Sequence, residues 1–97
     1  MPEYLTFNIK GDSMMPTFND GDLVNFDKYT NQDVKVDDIV VFMHPLKDNF
    51  KLIKRVKKIQ DKSKFFVEGD NLNIGASSDS HNFGYINKDN LIAIKRT

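Results

Sequence analysis

Two side chains in this sequence stand where chemistry is possible. Ser13 lies in Gly11-Asp12-Ser13-Met14-Met15-Pro16-Thr17, followed at once by Asn19-Asp20-Gly21-Asp22, a dense turn signal. A hydroxyl among turn-forming residues is ordinarily a plain loop serine. To act as a nucleophile it needs a neighbouring base that takes its proton. The sequence offers only two histidines, His44 ahead of Pro45 and His81 in a polar stretch, and neither has neighbours that argue for a Ser-His-Asp arrangement. Cysteine is absent, which removes thiol catalysis, disulfides and thiolate metal sites.

Lysine becomes a base when it gives up its proton near neutrality, far below its ordinary value of about 10.4. Withdrawal from water does this, because it disfavours the charged ammonium. The second side chain is therefore Lys54, in Leu52-Ile53-Lys54-Arg55-Val56. Alternate residues of a strand share a face, so Leu52, Lys54 and Val56 lie together, with Ile53, Arg55 and Lys57 opposite. Two orientations are open. Either the apolar pair turns inward and takes Lys54 with it, or the strand faces water. In the second case Lys51, Lys54, Arg55, Lys57 and Lys58 form a solvated edge, the usual state of lysines.

The elements that must position these residues read as strands. Tyr4 to Ile9 alternates weakly, Leu23 to Phe26 follows a turn, and Ile39-Val40-Val41-Phe42-Met43 is a continuous apolar run stopped by His44-Pro45. Phe50 to Ile59, Phe65 to Glu68, Tyr85-Ile86 and Leu91 to Ile94 complete the set. Asp27 to Asp37 reads as a loop, and Gly69 to Gly84 as a long polar loop of the kind that tends to carry function. No apolar period of 3.6 residues persists over three turns, so no long helix is predicted; Pro16 limits any helix after Ser13 to one turn. The expectation is a mainly β fold: one small domain, residues 1–97, of short antiparallel strands with long polar loops.

Composition narrows the function. Lys plus Arg and Asp plus Glu are 14 each, so the chain is formally neutral. That argues against bulk affinity for nucleic acid or anionic lipid, and the basic run Lys51 to Lys58 alternates with apolar residues. Asp20, Asp22 and the later acids lack the twelve-residue calcium loop, and His44 and His81 lack zinc spacing, so no metal or cofactor is expected. Apolar runs fall short of the roughly 18 residues of a membrane span, and Met1 to Lys10 lacks the pattern of a secretory signal. The expectation is a soluble, cytoplasmic protein.

A third stretch decides the reading. Gly69-Asp70-Asn71 leads to Ser77-Ser78-Asp79-Ser80 and Gly84. Together with Gly11 to Thr17 and Gly21-Asp22, and then Ile53-Lys54-Arg55-Val56, it resembles the signal peptidase I family of Ser-Lys proteases, with all three blocks in the family's order. The resemblance implies a mainly β catalytic core, Ser13 as nucleophile and Lys54 as general base. It further implies that Ser77 orients the lysine, and that Asp79 and the Gly69-Asp70-Asn71 turn brace the site. Ser78 is the alternative to Ser77, because the insertion Leu72 to Ala76 allows two alignments; Ser77 is preferred as it lies two before Asp79. Met14, beside the serine, is expected in the core, along the substrate groove, or both.

Within the family, the chain is most similar to the short soluble proteases that mature nickel-type superoxide dismutase. The similarity lies in length, in the lack of a membrane anchor, and in the Val40-Val41 strand running into His44-Pro45-Leu46. It implies removal of a short N-terminal propeptide, the nickel belonging to the substrate. Cleavage of secretory signal peptides is the alternative within the family. A self-processing regulatory module of the LexA type is the alternative outside it, disfavoured because only twelve residues precede Ser13. Two departures stand out. Gly11 occupies the position where many signal peptidases carry a hydroxyl that completes the oxyanion hole. His81 stands where an arginine is usual, so any pairing with Asp79 would be weaker and pH-sensitive.

Overall fold

The computed structural model describes residues 3–73 and 79–96. Among these, seven strands form one antiparallel sheet in the order β1-β2-β7-β3-β4-β5-β6. The strands are β1 (Tyr4–Asn8), β2 (Leu23–Lys28), β3 (Ile39–Met43), β4 (Lys51–Gln60), β5 (Lys64–Glu68), β6 (Ile86–Asn87) and β7 (Leu91–Lys95). The fold is mainly β, as the strand pattern predicts.

The continuous apolar run of β3 has a direct cause. The strand is central, between β4 and β7, and its two faces feed two cores. Val40 and Phe42 join Val56, Phe65, Val67, Ile86 and Ile94 on one side. Ile39 and Val41 join Ile9, Met14, Phe18, Phe26 and Ala93 on the other. A strand covered on both faces shows no polar alternation. Phe26 is the pivot of the second core, with Phe7 and Phe18 edge-on to it at 5.6 and 6.1 Å between ring centres. Burying one such side chain is worth about 1.5–3 kcal/mol.

β4 departs from strict alternation at one point. Arg55 and Val56 pair with Glu68 and Val67, but the next partner of β5 is Lys58, so Lys57 is the extra residue of a bulge. The face therefore changes at Lys57, and Ile59 packs on the same core as Leu52 and Val56. Simple alternation holds up to Lys57 and fails beyond it, which is what brings Ile59 to the face of Leu52 and Val56.

Two loop expectations also change. Asp27 to Asp37 is not all loop: β2 runs on to Lys28, and Tyr29 and Val34 pack against the first core. Within Gly69 to Gly84 a single helical turn, α1 (Ser80–Phe83), follows Asp79. Four residues are too few to show a helical period. Among the described residues no helix is long and apolar enough to cross a membrane.

Candidate active site

The serine loop leaves β1 through Ile9 and is closed by the Asn19 to Asp22 turn. Ile9 donates its N–H to the Asp22 carbonyl and accepts from Gly21, both at 2.8 Å. Gly11 takes a positive φ of 81°, and its N–H is held by the Asp20 carboxylate at 2.7 Å. A side chain at this position would be strained, which accounts for glycine here in place of a hydroxyl residue. Met14 is buried in the second core and pins the loop just past Ser13; Phe18 pins its far end. Pro16 is exposed and follows a cis peptide bond. Residues 13–17 form turns and no helix.

Of the two orientations open to β4, the buried one is observed. Lys54 is only 3% exposed, pairs with Val40 of β3, and follows the inward line of Leu52 and Val56. Burial pushes its amine below the ordinary lysine range, against the opposing pull of the Asp79 carboxylate. Asp79 is itself buried and caps α1, its side chain accepting the His81 N–H at 2.9 Å.

Ser13 and Lys54 line one cleft of about 330 Å³, with Phe7, Ile9, Met14 and Ile53 among its walls. A larger cavity of about 410 Å³ opens elsewhere, over Tyr29, Val34, Ile59 and Phe65. Size does not settle the matter, because that cavity includes neither the half-buried serine nor the buried lysine.

The Gly69-Asp70-Asn71 segment sits directly on the serine. Asn71 donates its N–H to the Ser13 carbonyl at 2.9 Å, and its side-chain amide to the Asp12 carbonyl at 2.9 Å. Gly69 lies so near that a β-carbon on it would stand 2.6 Å from the Ser13 carbonyl oxygen. Asp70 reaches the other way, taking two bonds of 2.8 Å from Arg55 Nε and Nη2 and one from the Thr17 hydroxyl. Burial alone would raise the Asp70 carboxyl, but the Arg55 and Thr17 bonds and the charges of Arg55 and Lys57 outweigh it and hold it below the ordinary carboxylate value. Arg55 also donates to the Asp37 carbonyl at 2.8 Å. The residue after the lysine thus ties the lysine strand, the serine loop and the third block into one unit.

The histidines stand apart from this unit. His44 is buried between Phe50 and Phe83, its Nδ1 accepting the Leu46 N–H at 3.0 Å. The His81 imidazole pairs with Glu68 at 3.3 Å. The contact with Asp79 considered from the sequence is made by the His81 backbone N–H, while the ring meets Glu68. Ser77 and Ser78 lie outside the described residues. Ser80, which the sequence reading passed over, is buried and accepts the Val67 N–H at 2.8 Å; nothing in a run of serines distinguishes it.

The family described as signal peptidase, peptidase S26, matches residues 3–60, from β1 to the end of β4. The chain belongs to that family. It is a serine endopeptidase of the Ser-Lys class, and its substrate is protein. The match takes in the serine loop and the lysine strand and stops short of Gly69. No curated protein matches the chain.

Proposed function

We propose that residues 1–97 form one Ser-Lys peptidase domain, with Ser13 as nucleophile and Lys54 as general base. The observation that carries this reading is a lysine 3% exposed, facing a cleft that it shares with Ser13. The Lys54 amine, neutral when it acts, takes the Ser13 proton as Oγ attacks the scissile carbonyl. The resulting ammonium returns that proton to the departing amine, leaving an acyl-serine that water hydrolyses by the same route in reverse. Asp79 and the Gly69-Asp70-Asn71 segment brace the pair, and Ser77 orients the lysine. With the Gly11 N–H committed to Asp20, the Ser13 N–H is the donor for the oxyanion. One missing donor costs about 10²–10³ in rate elsewhere, so slow turnover accompanies this arrangement.

The substrate of this reading is a precursor with a short N-terminal propeptide, that of a nickel-type superoxide dismutase. The support is the similarity of Val40-Val41 and His44-Pro45-Leu46 to that subgroup. A second reading, removal of secretory signal peptides, is favoured by the description of the matched family. Mass spectrometry on both precursors separates the two. Cleavage of the dismutase precursor at the propeptide junction, lost in Ser13→Ala and in Lys54→Met, is the expected result. Undiminished cleavage by either variant overturns the dyad, and cleavage of the signal-peptide precursor alone overturns the substrate.

A further inference from the structure

The cleft holds two cations that this mechanism does not use. Lys10 follows buried Ile9 at the end of one wall, and Lys51 opens β4 on the other; both are exposed. With Lys54 the lining contains, among the described residues, three lysines and no carboxylate, in a chain whose charges balance. Asp12 and Asp48, the acids nearest to them in sequence, are not part of the lining. Once Lys54 is neutral, two exposed positive charges remain, one on each wall. Each wall is a run of consecutive residues, 7–10 and 51–54, so an extended peptide lying along it matches about four residues.

We propose, resting on the peptidase reading above, that Lys10 and Lys51 select substrates with a carboxylate side chain within about four residues of the scissile bond. The ammonium groups pair with that carboxylate and set the peptide's register in the cleft. Uncharged and basic segments lack this anchor.

The test uses the inert Ser13→Ala protein and short peptides in which one Glu is moved along the chain, each with its Gln twin. At low salt at least one Glu peptide binds about fivefold more tightly than its twin, the scale of one or two exposed ion pairs. The advantage fades towards about 1 M salt. It falls to parity when Lys10→Gln and Lys51→Gln are added, and a double change to Glu turns the preference towards lysine peptides. Parity throughout, absence of binding, or a Glu preference that survives loss of both lysines overturns the proposal. Turnover by the active protein separates the two claims. Cleavage without acid preference removes only this inference, whereas Glu-selective binding without cleavage of any peptide removes only the peptidase reading.

Discussion

Gly69 packs against Ser13 so closely that the missing β-carbon is itself a structural feature: it would stand 2.6 Å from the serine carbonyl oxygen. The obstacle is backbone on both sides, so no side chain can swing away to make room. Gly69→Ala therefore pushes the serine loop off its seat, while Met14 and Phe18 still anchor it in the core. Misplacing a reacting group by about 1 Å can cost 10²-fold. The expected result is a fall of about that size in kcat with a modest change in thermal stability. A Gly69→Ala enzyme with unaltered kcat would show that the serine's position does not depend on this contact.

The Arg55–Asp70 pair joins the lysine strand to the third block, and both side chains are mostly buried, at 16% and 11% exposure. Asp70→Asn leaves the guanidinium without its counter-charge, at a cost of about 3 kcal/mol in unfolding free energy near neutral pH. The sign in acid follows from the lowered carboxyl. Its contribution is present above the ordinary value of 3.8 and is lost as pH falls through the folded value, below 3.8. Denaturant unfolding between pH 7 and 2 should show the two proteins converging at the acid end. A constant gap would assign the cost to something other than the ion pair.

Lys54 has the opposite linkage. Burial lowers its amine in the folded chain, so the unfolded chain binds the proton more readily, and stability rises with pH between the folded value and the ordinary 10.5. Lys54→Met removes that slope. The variant is the more stable at neutral pH, and its advantage shrinks towards pH 10.5. Added apolar burial shifts the whole curve equally, so the slope is the decisive quantity. Parallel stability curves would mean that the amine is not held below its ordinary range.

The strands were legible because short apolar runs are punctuated by Gly, Pro, Asn and Asp; β3 was legible as an apolar strand, while its burial on both faces follows from its place between β4 and β7. The orientation of β4 was not legible. It depends on Val40 lying opposite Lys54, a register that no local pattern encodes. The bulge at Lys57 escaped for the same reason, since an extra residue is defined only against a partner strand. The clamp between Arg55 and Asp70 spans separate elements and emerges once β4 and β5 pair. His81 shows the limit of reading by position: two residues past Asp79 in the motif, it gives its backbone N–H to Asp79 while its ring meets Glu68.

Asp79 offers the most direct control over the proposed base. Its carboxylate favours the charged form of Lys54 and so opposes the effect of burial. Asparagine also accepts a backbone N–H at a helix N-cap, so Asp79→Asn keeps the bond to His81 and the start of α1 while removing the charge. With that charge gone, desolvation acts alone and the amine loses its proton at lower pH. The acidic limb of kcat/KM, which reports the free base, should then move to lower pH, leaving the variant relatively more active in acid. A limb that stays in place, with α1 intact by hydrogen exchange, would show that the group titrating in catalysis is not the lysine beside Asp79.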